Sequence, residues 1–251
     1  MKTNPTVLIV GATGATGKHL VQSLLNDGYP VSVVVRSKER LLSLIDTEKV
    51  ENDLLTVKEA PSFNDLSDAE YNELVEQADV LVSCLGHTLN LSGIWGRADR
   101  RLVTDTVKRL TAAAKDNKKK FILMSSDGVV GPKDDLRPFS ERAILAFFRY
   151  VFTPHVDNEE AAAYLQSQFP PTQDGIKWVI ARPTNLVEDA TSDYQVHDKP
   201  VGSLFGDTKI ARSLVAKFMK DLISNSQLWE RYAFQMPVLE NAPTKEVPSK
   251  E

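Results

Sequence analysis

Apolar residues in this chain follow two rhythms. Short, mostly apolar runs at 7–9, 31–35, 54–57, 80–85, 121–124 and 177–181 are too brief for helices and read as strands, the longest of them buried on both faces. Between them, apolar positions recur at helical spacing: Leu20, Val21, Leu24 and Leu25, then Leu102, Val103, Val107, Leu110 and Ala114, and later Leu214, Val215, Phe218, Met219 and Leu222. The spacing predicts further helices over 37–45, opened by Ser37 as a cap, and over 69–76. Helices are also predicted over 143–152, ended by Thr153-Pro154, and over 157–168, with an alanine-rich face. Strands alternating with helices require parallel pairing and right-handed crossovers.

No Gly/Ser linker, repeat or low-complexity run divides the 251 residues. One domain over 1–240 is therefore expected, with substrate-side elements at about 133–170 and 186–240. Residues 190–207 show little periodicity and read as an active-site lid or substrate loop. The polar tail 241–251 is expected to be disordered. An apolar content of 42% allows a substantial core. The balance of 30 basic against 34 acidic residues, without a long basic run, argues against nucleic acid as a partner. No apolar run reaches membrane-spanning length and no secretion signal is visible at the N-terminus, so no membrane partner is expected. The single cysteine, Cys84, excludes a disulfide framework and fits a reducing, cytoplasmic setting.

The most informative stretch is Gly11-Ala12-Thr13-Gly14-Ala15-Thr16-Gly17, between the first strand and the first helix. In such a turn one glycine permits the tight reversal, one permits close approach of a pyrophosphate, and one permits helix–strand packing. The helix N-terminus that follows favours an anion. Arg36 closes the second strand, where ribose recognition is expected. A guanidinium there suits a 2′-phosphate, whereas an acidic residue would accept the 2′-hydroxyl bond. Lys38 and Arg40 add positive charge, so NADP(H) is expected over NAD(H). The context makes the fold α/β, a Rossmann-type doubly wound parallel sheet with helices on both faces and a small C-terminal substrate-side region.

Gly11 to Gly17, Arg36, Asp65-Leu66, Ser125-Ser126, Arg182-Pro183 and the run from Ala211 to Ala216 together resemble an atypical short-chain dehydrogenase/reductase of the NmrA-like group. The resemblance covers roughly residues 5–240 and implies a NAD(P)-binding protein. That group holds reductases, isomerases and non-enzymatic redox sensors. An NADPH-dependent oxidoreductase acting on a small-molecule substrate, as a monomer or homodimer, is the leading expectation. The alternatives are a non-catalytic NADP(H) sensor and an isomerase or cyclisation catalyst. By the same resemblance Asp65 and Leu66 contact adenine, although an Asp in a polar loop is equally an ordinary cap. Thr13, Ala15, Thr16, Gly86 and Pro183 complete the expected cofactor-binding set.

Classical members of the wider family pair a Tyr with a Lys four residues later. None of the six tyrosines here has that Lys, and Pro154-His155-Val156-Asp157-Asn158 stands in its place. Ser126, at the end of the fifth strand, is a candidate to bond a substrate carbonyl, or else a structural turn serine. His87, directly after Gly86, is a candidate proton donor or a solvent-facing loop residue. His155 with Asp157, Glu159 and Glu160 reads as a set of helix-start charges or as an acid near the substrate. The three tryptophans read as packing residues. No His/Cys/Asp cluster has metal-ligand spacing.

Overall fold

The computed structural model describes residues 4–48, 53–86, 101–114, 118–151, 153–189, 193–203 and 206–243, excepting the side chains of residues 64, 147–151 and 153–155. Strands β1 (Val7–Val10), β2 (Val31–Val35), β3 (Leu55–Glu59), β4 (Val80–Ser83), β5 (Lys120–Met124) and β6 (Lys177–Pro183) pair in parallel. The full eight-stranded order is β3-β2-β1-β4-β5-β6-β10-β8, with β10 at Val238–Asn241 and β8 at Tyr194–His197. The chain winds outward from β1 in both directions, so the strand order reverses between β1 and β4. A crevice at the carboxyl ends of those two strands follows from that reversal.

Strand alternation divides the core. Val7 and Ile9 point to one face with Leu20, Leu24, Phe218 and Trp229, while Leu8 and Val10 point to the other with Val75, Val107 and Leu165. The first face is covered by α1 (Gly17–Asn26), α2 (Lys38–Leu42), α7 (Arg212–Ser224) and α8 (Ser226–Tyr232). The second is covered by α3 (Asp68–Glu76), α4 (Leu102–Ala113) and α6 (Thr153–Gln168), and α5 (Phe139–Val151) precedes α6. Every residue of β1, β2 and β4 is buried, as helices on both faces demand. Ser37 caps α2 as expected, accepting the Arg40 N–H at 3.1 Å. Trp178 and Trp229 are buried packing residues; Trp95 lies outside the described residues. No helix among the described residues is long and apolar enough to cross a membrane.

Two expectations need correction. The stretch 190–207 is not simply a loop, because it carries β8, which pairs antiparallel with β10. Its polar residues find partners: Tyr194 donates to Asp221 at 2.6 Å, and His197 meets Glu240 at 2.6 Å. The tail does not begin at Asn241 either. That residue ends β10, its side chain accepts the Ala211 N–H at 3.0 Å, and Ala242 donates to the Asp193 carbonyl at 2.7 Å. A short parallel pair, β7 (Asn185–Val187) with β9 (Lys209–Ala211), also precedes α7.

Candidate functional site

At the tip of β1, Val10 is flanked by Val34 of β2 and Ser83 of β4. Gly11 turns the chain away with φ +81°, and a Cβ there would lie 2.6 Å from the Cys84 carbonyl. A Cβ on Gly17 would collide with the Gly11 carbonyl, whose carbon lies 3.0 Å from that position. These two glycines therefore let β1, β4 and α1 converge. Gly14 has a different position. Its N–H donates to the Gly11 oxygen at 3.0 Å, its own oxygen accepts from Lys18 at 3.1 Å, and Thr13, Gly14 and Ala15 form the accessible rim above buried Ala12, Thr16 and Gly17.

Helix α1 begins on this rim without a side-chain cap from Thr16 and without an acidic residue in its first turn. The N–H groups of Lys18, His19 and Leu20 already donate to the Gly14 and Thr16 oxygens, but those of Ala15, Thr16 and Gly17 make no backbone hydrogen bond among the described residues, and the dipole is positive there, so the turn fits a diphosphate. Gly86, beyond β4, is exposed, and a Cβ on it would meet nothing within 4 Å among the described residues. A bare backbone at that position suits close approach of a ligand.

Arg36 is exposed just past β2, beside the glycine turn, and its guanidinium makes no ion pair or hydrogen bond among the described residues. Lys38 and Arg40 are likewise exposed, while Glu59 at the end of β3 accepts the Lys38 backbone N–H at 2.6 Å. Asp65 is exposed and Leu66 is buried against the α3 and α4 face. Arg109 of α4 holds this loop by donating to the carbonyls of Leu66 and Phe63 and to Asp68 at 3.0 Å.

The other half of the edge is built from charged side chains. Arg182, in the buried strand β6, forms a two-pronged pair with Asp134 at 2.5 and 2.9 Å, both groups almost wholly buried. It also donates to the carbonyls of Val129 at 2.9 Å and Met236 at 2.7 Å. Gly131 leaves room for this guanidinium, which a Cβ would approach to 3.0 Å. Arg137 bridges Glu141 at 2.9 Å and the Asp127 carbonyl at 2.8 Å. Burial pushes the Asp127 carboxyl up to about 6, against the opposing pull of Arg137 and Arg182.

Ser126 is half-buried at the end of β5; its Oγ accepts the Gly128 N–H at 3.1 Å, leaving the hydroxyl proton free to donate. Ser125 and Ser83 lie on the α4 and α6 face, and the hydroxyl oxygen of each is buried without a partner among the described residues. Pro183 ends β6 and accepts the Asp127 N–H at 3.1 Å through its carbonyl. The Cys84 thiol is buried and pushed up to about 12 by that burial, which makes it inert.

The segment standing where a Tyr and Lys were sought has a structural task. Asp157 is 1% exposed and accepts the N–H groups of Val103 at 2.8 Å and Thr104 at 2.9 Å, capping α4 from another helix. It is therefore not one of the helix-start charges of its own helix, as the sequence suggested. Glu160 pairs with Arg101 at 2.9 Å on the same junction. His87 lies outside the described residues, as does the side chain of His155. Sequence reasoning assigned no structural or functional role to Asp127, Asp134 and Arg137, and its one available signal was an arginine inside an otherwise apolar strand. No metal-ligating group of three or more His, Cys, Asp or Glu residues occurs among the described residues.

The glycine turn, Arg36 and Gly86 thus meet at the switch point, with Asp65-Leu66 on one side and Ser126 and Pro183 on the other. Solved structures share this architecture. The oxidoreductase ylbE of Lactococcus lactis is 18% identical, with 95% of this chain and 92% of that chain covered and a TM-score of 0.67. A Streptococcus pneumoniae protein provisionally named an NADH-flavin reductase is 12% identical, with 95% and 100% covered and a TM-score of 0.66. A Rossmann-fold NAD(P)-binding family protein of Shigella flexneri is 18% identical, with 96% and 95% covered and a TM-score of 0.61. No curated protein matches the sequence. The model of the NAD(P)H-binding family matches residues 11–226, and with a glycine turn and uncapped helix suited to a diphosphate, the chain belongs to that family.

Proposed function

We propose that the protein is an NADP(H)-dependent oxidoreductase of the atypical short-chain dehydrogenase/reductase type, acting on a small organic substrate. The observation that carries the choice of NADP(H) is Arg36, an exposed guanidinium without a partner among the described residues, next to the turn that suits the diphosphate. Glu59, the carboxylate on that rim, is tied to the Lys38 N–H. Bound NADPH would supply a hydride, and the chain's residues orient it. Thr13, Gly14 and Ala15 with the start of α1 hold the diphosphate, Arg36 with Lys38 and Arg40 holds the 2′-phosphate, and Asp65 and Leu66 border the adenine. Gly86 and Pro183 flank the nicotinamide side. Ser126 donates a hydrogen bond from its hydroxyl to a substrate carbonyl oxygen and keeps its proton.

Fluorescence titration with NADPH and NADH tests this reading. The native protein should prefer NADPH by about tenfold to a hundredfold, the worth of one hydrogen bond to a charged group. Arg36→Asp should narrow or reverse that preference. Equal affinities in the native protein would remove NADP(H) from the proposal. Steady NADPH oxidation with a quinone, flavin, aldehyde or ketone supports an enzyme. A second reading, a non-catalytic NADP(H) sensor, is favoured by Asp157, which spends the expected catalytic segment on capping α4. Tight nucleotide binding without any turnover selects it.

A further inference from the structure

Beyond Ser126, the loop after β5 and helix α5 enclose a cleft of about 600 Å³. Its apolar wall is formed by Val130, Leu136, Phe139, Ala143, Leu145 and Ala146, and Leu136 and Phe139 are 81% and 82% exposed. With Val130, 56% exposed, they make several open apolar side chains on one cleft, and it is such grouping, not single exposed residues, that marks a ligand or partner site. The cleft's charges are almost all matched. Asp134 is held by Arg182, Asp135 pairs with Lys199 at 2.5 Å, and Arg137 pairs with Glu141. Glu159, at the α6 side of the cleft, also has a partner.

Arg142 is the exception among the described lining residues. Its guanidinium is exposed and makes no ion pair or hydrogen bond among the described residues, while its backbone N–H donates to the Pro138 carbonyl at 3.0 Å. An apolar cleft with one unmatched guanidinium complements a ligand with an apolar body and a single anion. The exposed ring of Phe139 favours an aromatic body. We infer that this cleft binds the substrate and that the substrate is an aromatic acid, its carboxylate or similar anion meeting Arg142 and its rings lying against Leu136 and Phe139. The substrate assignment rests on the oxidoreductase reading, whereas the binding chemistry does not.

Calorimetry on the full chain with 2-naphthoate and its neutral isostere 2-naphthamide tests the inference, with NADPH titrated separately. Naphthoate should bind at least about tenfold more tightly than naphthamide, the lower bound for one charge-assisted hydrogen bond. Arg142→Gln should erase the difference while leaving naphthamide affinity unchanged, a control that also reports folding. Phe139→Ser should weaken both probes. Equal affinities, no binding of either probe, or a preference that survives Arg142→Gln would each overturn the inference, and intact NADPH binding would then leave the dinucleotide site standing. Selective naphthoate binding in a protein that turns over no carbonyl or quinone would retain the acid-binding cleft and remove the oxidoreductase.

Discussion

The two halves of the carboxyl edge are made from opposite materials. Around β1, β2 and β4 the centre of the site is backbone, with the exposed cations Arg36, Lys38 and Arg40 at its margin: glycines remove side chains so that strands and helix approach closely. Around β5 and β6 it consists of buried charge, with Arg182, Asp134, Arg137, Glu141 and Asp127 packed into one loop region. A backbone site tolerates no added atom but carries almost no electrostatic cost. A charged site tolerates shape changes but depends on every partner being present. The first arrangement suits a cofactor of constant shape, and the second suits a substrate region that differs among relatives of one fold.

That contrast is open to direct attack. The largest effect belongs to the glycines, which should separate from one another. Gly17→Val should give no folded protein, since its Cβ would meet the Gly11 carbonyl, whereas Gly14→Val should fold and fail to bind NADPH. Soluble yield, circular dichroism and nucleotide titration check the pair. A folded Gly17→Val protein, or a Gly14→Val protein that binds normally, would break the backbone half of the comparison.

On the charged side, Asp134→Ala leaves Arg182 buried without its carboxylate. Breaking such a pair costs about 3–5 kcal/mol, readable by urea unfolding. A loss below about 1 kcal/mol would mean that the guanidinium finds other partners and the loop is not built on this pair.

The smallest effect is a pH dependence at Asp127. Its carboxyl is raised in the folded state to about 6, so the stability it contributes is complete below the ordinary carboxylate value and is lost as pH rises through about 6. Asp127→Asn should therefore gain on the native protein between about pH 4 and 7, by roughly 1–2 kcal/mol after discounting for its partial exposure. Parallel unfolding curves across that range, or a gain in the opposite direction, would make Asp127 an ordinary ionised partner of Arg137 and Arg182.

The backbone half was the legible half. Glycine spacing, a strand before it and a helix after it are local signals, and the resulting order of β1, α1 and β2 agrees with the structure to within a residue or two. The charged half depends on distant partners. Arg182 is stitched to residues 129–134 and 236, and Asp157 serves residues 103 and 104, so neither role is visible in its own neighbourhood. The short edge strand β8 escaped notice for a related reason. Tyr194 and His197 are polar residues satisfied across the fold by Asp221 and Glu240, which conceals the alternation that marks a strand.

The cap on α4 has a consequence for how the chain is made. Arg101, at the start of that helix, provides no side-chain cap, and among the described residues the side-chain acceptor for the Val103 and Thr104 N–H groups is Asp157, which is synthesised after β5 and α5. Until α6 docks, the N–H groups of Val103 and Thr104 lack this carboxylate, and the first turn of α4 is held by less than its full set of bonds. The carboxylate thus makes the second half of the sheet a condition for completing the first, and it joins the two halves into one cooperative folding unit at the place where an intermediate would otherwise end.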